Sequence, residues 1–309
     1  MPPTPRLRAP DHAVVLPEAG CSHEDGFTRR MWISRMVAFA VFGVAGRLLA
    51  SERKGDLVLN ERGGYWFQPG IPFLSFAVRA ADGCEIVRAS FRSLRPFAQG
   101  MDAIEAYLRA AGRPIQALCG LEIRSADTSA GVGMPFNAFN KLYRQRLTAA
   151  GLMVDGVSPI TRVNVSAPGV TVHSIHAFTY TVPLAEARKS VPPTFMTCAF
   201  PDAININTKK QEWAAKGDTS PSGLRKKMEV VIGAVDDSLR KLEARWADVT
   251  GVQLYSVYDF EPLYDEFLKP RLGAVARRGI EWYSAKPPAI GNDLEIAVRG
   301  TRLEMLIED

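Results

Sequence analysis

The sequence predicts an α+β protein made of two tandem domains, and three observations support this prediction. The chain has 309 residues, which is long enough for two domains of common size. The order strand, long helix, strand, short helix, strands occurs twice along it. Short phrases also recur at a nearly constant offset: CGLEIRS (119–125) matches TGVQLYS (250–256), and FNKLYRQRL (139–147) matches YDEFLKPRL (264–272).

The domain boundaries are predicted from composition. The segment PLAEARKSVPPT, residues 183–194, collects prolines and charges and is typical of a linker. We therefore predict a first domain over 64–182 and a second over 195–309. Residues 1–63 form a predicted N-terminal extension that begins with a stretch rich in proline and charge.

Alternation and helical periodicity place the elements of the first domain. Strands are predicted at 85–91 and 115–125, and helices at 99–114 and 134–152. The following stretch, ITRVNVSAPGVTVHSIHAFTYTV (160–182), predicts a pair of strands joined by a Pro-Gly turn.

The second domain repeats this order. Its long helix is predicted to begin after Ser220, a favourable N-cap residue, with Pro221 at the first helical position. The other predicted elements are a strand at 203–210, a strand at 248–259, a helix at 260–272 and a terminal strand at 293–307.

Composition excludes several classes of function. The formal charge of +5 is a mild excess without a concentrated basic patch, so neither a nucleic-acid partner nor a membrane partner is predicted. The four cysteines are scattered, without a C-x-x-C pair, which predicts reduced thiols, no metal site and a cytoplasmic protein. An apolar run at 36–46 resembles the core of a signal peptide, but Arg47 interrupts it and it is too short to cross a bilayer. A packed helix or strand is the favoured interpretation of that run, and a signal-like segment is the alternative.

The element order and an F-N-x-x-Y phrase in the second helix resemble the Rid (YjgF-like) family of imine and enamine deaminases. The resemblance implies two chorismate-mutase-type domains, each a mixed β-sheet with two helices on one face. It also implies a homo-oligomer, commonly a trimer, and no organic cofactor. The two-domain layout is similar to that of the chorismatases as well, although the Trp-Asn-Tyr segment and the late cysteine of that family are missing here.

The Rid resemblance implies a catalytic arginine in the penultimate strand of a domain and a glutamate in the last strand. In the first domain, PITRVNV puts Arg162 at the arginine position, and His176 falls at the glutamate position. In the second domain, NDLEIAV puts Glu295 at the glutamate position, whereas the arginine position near Ile280 is not basic. Each domain thus keeps one member of the pair, which indicates either a site shared between the halves or two decayed sites.

The chemistry of these side chains suggests a role for each of them. Arg162 would hold a substrate carboxylate in two parallel hydrogen bonds, and His176 or Glu295 would activate water. Further candidates for substrate binding are Asn164, Trp282, Tyr283, Lys286 and Arg299, the two aromatic rings by stacking on a planar substrate. Structural interpretations stay open beside these: Arg162 in a surface ion pair, His176 in the core, Glu295 in solvent, and the two aromatic residues in packing.

We therefore predict a hydrolytic deaminase that acts on a small carboxylate-bearing imine or enamine, of the 2-aminomuconate or 2-imino acid type. A chorismatase-like lyase or hydrolase is one alternative. A Rid-like protein that binds a small ligand without turning it over is the other, because neither domain retains both the arginine and the glutamate.

Overall fold

The computed structural model describes residues 51–126, 131–185, 191–204 and 212–308, which belong to one compact unit. The predicted extension up to residue 50, the middle of the predicted linker and most of the predicted strand at 203–210 lie outside the described residues. The described residues form two large sheets, a two-stranded ribbon and several helices. The protein is therefore of the mixed α+β class, as the sequence predicts.

The first sheet has five strands in the order β16-β5-β8-β6-β7. Their bounds are β5 (Cys84–Pro96), β6 (Leu118–Ser125), β7 (Thr161–Ser166), β8 (Ser174–Pro183) and β16 (Glu304–Ile307). Strands β7 and β8 occupy the predicted strand pair at 160–182, but they are not neighbours. Strand β6 lies between them, because β7 pairs with β6 in parallel after a helical crossover, whereas β8 pairs antiparallel with both β6 and β5.

The second sheet has nine described strands, eight of them in the order β1-β2-β3-β4-β9-β15-β13-β14, with β10 also paired to β15. Its N-terminal strands are β1 (Arg53–Lys54), β2 (Leu57–Asn60), β3 (Tyr65–Gln68) and β4 (Ala77–Ala80). Its later strands are β9 (Phe195–Thr197), β10 (Phe200–Pro201), β13 (Gly251–Tyr255), β14 (Glu281–Tyr283) and β15 (Glu295–Arg299). Strands β11 (Ala203–Ile204) and β12 (Glu212–Trp213) form the ribbon.

Four strands of each sheet follow the same plan. In the first sheet the order is β5-β8-β6-β7, and in the second it is β9-β15-β13-β14. In both, the second strand pairs antiparallel with the first and with the third, whereas the third and fourth strands pair in parallel. Each half of the chain also contributes to the other sheet. Strand β4, from the first half, pairs with β9 of the second sheet, and β16, from the second half, pairs with β5 of the first sheet.

The helices agree with the predicted ones except in the second short helix. They are α1 (Phe97–Ala110), α2 (Phe136–Ala149) and α3 (Pro221–Lys241), followed by a broken segment of α4 (Glu261–Leu263), a π-helical turn (Tyr264–Leu268) and α5 (Lys269–Leu272). The Ser220 hydroxyl caps α3 by accepting from the Gly223 amide at 3.3 Å. The predicted terminal strand at 293–307 is two strands, β15 and β16, because the chain leaves one sheet after Arg299 and joins the other.

Three buried clusters define the layers. One packs α1 and α2 against the first sheet, and a second packs α3 and the broken helix against the second sheet. The third contains residues of both sheets, among them Val163 of β7 and Tyr255 of β13. The two sheets therefore pack face to face, with the helices on the outer sides.

Candidate active site

A cavity of about 460 Å³ brings together parts of the chain that are distant in sequence. Its walls come from the segment after β3, the N-terminus of α2, strand β7, the β9–β10 connection, the ribbon and the chain before β15. Most of the lining is apolar: Ile71, Phe73, Leu74, Phe76, Pro135, Phe136, Ala199, Pro201, Trp213, Pro288, Ala289 and Ile290. The polar lining is Asn137, Asn140, Arg162, Asn164, Cys198 and Glu295. An apolar pocket with a few convergent polar groups is the usual form of a small-molecule site.

Arg162 lies on β7 and is 2% exposed. Its Nη2 donates to Asn140 Oδ1 at 2.6 Å. With the Asn164 amide oriented so that its oxygen faces the guanidinium, that oxygen accepts from Nε at 2.7 Å and from Nη2 at 3.1 Å. Within the described part of the chain, Nη1 has no hydrogen-bond partner and no carboxylate forms an ion pair with Arg162.

Aromatic rings surround the same guanidinium. Its carbon lies 4.6 Å from the centre of the Tyr143 ring, 5.0 Å from Phe73, 5.6 Å from Phe136 and 5.8 Å from Phe139. Burial lowers the pKa of Arg162 to about 10, so the group is still charged at neutral pH. The cavity thus contains a buried positive charge that neutral amides and ring faces hold in place, without an ion-paired carboxylate among the described residues.

Glu295, the first residue of β15, lines the same cavity and is 7% exposed. Its Oε1 accepts from Asn292 Nδ2 at 2.7 Å. Burial and the negative charge of Asp202 raise the pKa of Glu295 well above its ordinary value, and the Asn292 hydrogen bond and the Arg162 charge only partly oppose this. A carboxyl group with a raised pKa keeps its proton to higher pH than an ordinary glutamic acid, which suits it to the role of an acid.

Cys198 completes the polar lining between these two residues. Burial, followed by the nearby Glu295, raises the pKa of its thiol well above the ordinary value, so the thiol is neutral. It supplies a compact, weakly polar surface to the cavity and is not activated as a nucleophile.

His176 does not line this cavity. It is the extra residue of a bulge in β8, because Glu122 of β6 pairs with Ala177 whereas the next residue, Ile123, pairs with Ile175. Burial and the Arg124 charge lower the pKa of His176 to about 4, which leaves the imidazole neutral. The bulge places it beside a buried ionic network between the two sheets.

That network also contains Arg299. The Arg299 guanidinium donates to Glu281 at 2.7 Å and to Glu304 at 2.7 Å. Arg88 binds the fully buried Glu122 through two hydrogen bonds, of 2.6 and 2.9 Å. Arg299 is therefore fully occupied by carboxylates of the protein, unlike Arg162.

The remaining substrate-binding candidates also lie outside the cavity lining. Tyr283 stacks on Tyr255 with ring centres 5.0 Å apart and donates to Glu281 at 3.1 Å. Trp282 is 40% exposed and donates to the Ser256 carbonyl at 3.1 Å. Lys286 accepts the Ser166 amide through its backbone carbonyl at 3.0 Å, and its side chain is exposed. Of the residues predicted from sequence, the structure thus brings Arg162, Asn164 and Glu295 together.

Comparison with known proteins identifies the family. The family model described as 2-aminomuconate deaminase CnbZ matches residues 57–305. The chain belongs to this family. A 2-amino-5-chloromuconate deaminase from Comamonas testosteroni is 35% identical over 255 residues, which cover 82% of this chain and 99% of the relative.

Two solved structures are more distant from this CnbZ family member. A chorismatase shares 12% identity with a TM-score of 0.44, over 76% of this chain and 81% of its own. A cyanuric acid hydrolase shares 10% identity with a TM-score of 0.32, over 75% of this chain and 70% of its own. A specific relationship to the Rid family stays a prediction.

Several residues that contact Arg162 or line the cavity of this CnbZ family member are not among those predicted from the sequence. The F-N-x-x-Y phrase of α2 contains three of them, because Phe139, Asn140 and Tyr143 all contact Arg162. Phe73 and Trp213 lie in irregular or short segments, for which the sequence carried no comparable signal.

The described residues contain no group of three or more His, Cys, Asp or Glu side chains placed to hold a metal ion. No helix among them has the length and apolar character needed to span a bilayer.

Proposed function

We propose that this protein is a hydrolytic deaminase that converts a 2-aminomuconate-type enamine into the corresponding 2-oxo acid and ammonia. The observation that carries the proposal is one cavity that is lined by both Arg162, buried without an ion pair among the described residues, and Glu295, a buried carboxyl whose pKa is raised. Membership of the 2-aminomuconate deaminase CnbZ family supports the same activity, and it agrees with the substrate class predicted from the sequence.

Arg162 is the proposed anchor for the carboxylate next to the amino-bearing carbon. A buried guanidinium without a counter-charge is costly, and a substrate carboxylate would supply the missing charge. Asn140 and Asn164 hold one edge of the guanidinium, and Nη1 has no hydrogen-bond partner among the residues that the structure describes. This arrangement fixes the plane of the guanidinium and hence the orientation of the bound acid.

Glu295 is the proposed acid and base. Its carboxyl proton is transferred to the enamine carbon two bonds from nitrogen, which leaves a Glu295 carboxylate and a substrate iminium. The carboxylate then takes a proton from water as the water oxygen bonds to the iminium carbon. Glu295, which regains its proton in this step, then gives that proton to the nitrogen as the carbon–nitrogen bond breaks, and it takes the proton of the hydroxyl group. The amino alcohol thereby gives ammonia and the 2-oxo acid, and Glu295 is protonated as at the start. The sum is enamine plus water to ketone plus ammonia.

The apolar walls suit a conjugated, planar substrate. Phe73, Phe136 and Trp213 offer ring faces or edges to the diene, and burial of the reacting carbon limits competing access of solvent. We assign no role in the chemistry to His176, because it lies outside this cavity.

The repeated order of four strands supports a duplicated α+β unit, in which the site is formed by Arg162 of the first repeat and Glu295 of the second. This is the shared-site interpretation of the two half-motifs. The Rid-like origin of the repeats, the homo-oligomer and the cytoplasmic location stay predictions. Light scattering on the purified chain tests the oligomer.

The proposed function is tested by ammonia release from freshly generated 2-aminomuconate. We expect wild-type turnover, with loss of about 10²- to 10⁴-fold in kcat for Glu295→Gln, since it removes the proton donor. Arg162→Ala should raise KM steeply and also slow turnover, because the substrate loses its orientation. Chorismate depletion, measured in parallel, tests the chorismatase-like alternative.

The matched control is His176→Gln, because His176 is the one predicted catalytic residue that lies outside the cavity. We expect this variant to keep turnover close to wild type. Wild-type rates in Arg162→Ala would show that Arg162 is not part of the active site. If the wild-type protein binds muconate tightly without turning over 2-aminomuconate, the non-catalytic alternative is favoured.

A further inference from the structure

Among the described residues that line the cavity, Arg162 is the one cation. A 2-aminomuconate-type substrate carries two carboxylates, one at each end of its chain. If Arg162 holds the first, the second cannot remain charged against the apolar wall without a large desolvation cost. The second carboxylate therefore needs a polar exit from the cavity.

An open groove of about 750 Å³ adjoins the cavity on the side of α2. Phe73, Asn137 and Asn140 line both the cavity and the groove, so the two spaces meet at these three residues, a boundary that we call the neck. The groove continues along α2, where its lining includes Lys141 and Arg144. It opens to solvent, whereas the cavity reaches Arg162 in the interior.

The helix geometry places both cations next to the neck. Asn137, Lys141 and Arg144 are spaced by four and then three residues, so their side chains lie on one face of α2. Both cations are exposed, and neither forms an ion pair with an acid of the described residues. The neighbouring Arg146 differs in this respect, because it binds Asp102 at 2.8 Å on another part of the helix surface.

We propose that Lys141 and Arg144 form a subsite for the distal carboxylate of a dicarboxylic substrate. This subsite rests on the proposed function. It adds that the enzyme binds dicarboxylates in preference to monocarboxylates. Arg162 anchors the carboxylate beside the reacting carbon, the diene crosses the neck between Phe73 and the two asparagines, and the far carboxylate meets the cations of the groove. Lys141 and Arg144 are specificity residues, because they lie away from the reacting atoms.

The test compares two unreactive dienes of the same chain length by titration calorimetry: muconate, with two carboxylates, and sorbate, with one. Neither carries the amino group, so binding is measured without turnover. We expect wild type to bind muconate more tightly than sorbate. In Lys141→Ala/Arg144→Ala this preference should fall by about three- to tenfold, the size expected for two partly solvated ion pairs. The preference should also shrink as salt is raised.

The matched control is Arg277→Ala/Arg278→Ala, which removes the same charge from exposed positions that line neither the cavity nor the groove. It should keep the wild-type preference for muconate. An unchanged preference in Lys141→Ala/Arg144→Ala, or an equal fall in both double variants, would overturn the subsite. Ammonia release by wild type is measured separately, so a failure of the proposed deamination is distinguished from a failure of the groove.

Discussion

Lys227 Nζ lies 3.0 Å from Asp293 Oδ2, and this lysine of α3 has a completely buried side chain. The same ammonium lies 3.3 Å from Asp202 and donates to the carbonyls of Ala214 and Ala215 at 2.8 and 3.0 Å. These partners belong to the three segments that carry Pro201, Trp213 and Glu295 into the cavity. One buried cation therefore connects α3 to much of one wall of the proposed active site.

Lys227→Met should lower the free energy of unfolding by about 3–5 kcal/mol, because it leaves the buried carboxylate of Asp202 and the partly buried carboxylate of Asp293 without their cation. Urea denaturation followed by circular dichroism measures the change. Lys226→Met, one residue away on the exposed side of α3, should change the free energy by less than about 0.5 kcal/mol. Equal effects of the two substitutions would contradict a special role for Lys227.

Activity should fall as pH rises through the raised pKa of Glu295, because the protonated carboxyl is the proposed acid. Asp202→Asn removes a negative charge that raises this pKa while keeping an oxygen for Lys227. The alkaline limb of kcat/KM should therefore move to lower pH in this variant. The pH profile of ammonia release measures the shift, and a limb that stays in place or moves to higher pH would argue against Glu295 as the acid.

Asn140→Asp should weaken substrate binding without disrupting the fold. The substitution keeps the shape of the side chain but places a carboxylate at the atom that now accepts from Arg162 Nη2 at 2.6 Å. That carboxylate would compete with the substrate for the guanidinium, so KM should rise more than kcat falls. Steady-state kinetics and a thermal melt separate the two effects. A raised melting temperature together with poor binding would be the clearest outcome, and unchanged KM would contradict the carboxylate anchor.

Lowering the pH should destabilise the protein through Glu122, which lies in the ionic network between the two sheets. Burial alone would raise the pKa of this carboxyl, but the charge and hydrogen bonds of Arg88 outweigh it and lower the pKa well below its ordinary value. A carboxyl with a lowered folded pKa stabilises the protein fully above its unfolded pKa of about 4.3, and this contribution is lost as pH falls below that value. Urea unfolding from pH 7 to pH 3 should thus show a steeper loss of stability in wild type than in Glu122→Gln. Parallel slopes would contradict this linkage.

Much of the local structure was predictable from sequence because it depends on nearby residues. The apolar periodicity of α1 and α2 and the Ser220–Pro221 start of α3 are local signals, and the helices form where these signals lie. The broken helix near Tyr264 is an exception: Pro262 and Pro270 lie within the predicted element, and the chain includes a π-helical turn there.

The pairing of strands was harder to predict because it depends on contacts distant in sequence. Nothing in the residues of β4 or β16 indicates that each pairs with a strand from the other half of the chain. The bulge at His176 also depends on distant contacts. Spacing within β8 places this residue at the glutamate position implied by the Rid resemblance, whereas the shifted register against β6 directs it to the ionic network. Strand β15 keeps a regular register against β13, and there the position given by the resemblance, Glu295, lies in the cavity.

The return of β16 to the first sheet affects the order of events during biosynthesis. Strand β5 is paired on one side by β8, but its other edge pairs with residues 304–307. On the ribosome this edge remains open until nearly the whole described chain has been made, so a nascent protein exposes a template for unwanted strand addition. Premature termination before residue 304 should consequently yield aggregating fragments, even though every residue of the cavity would already have been synthesised.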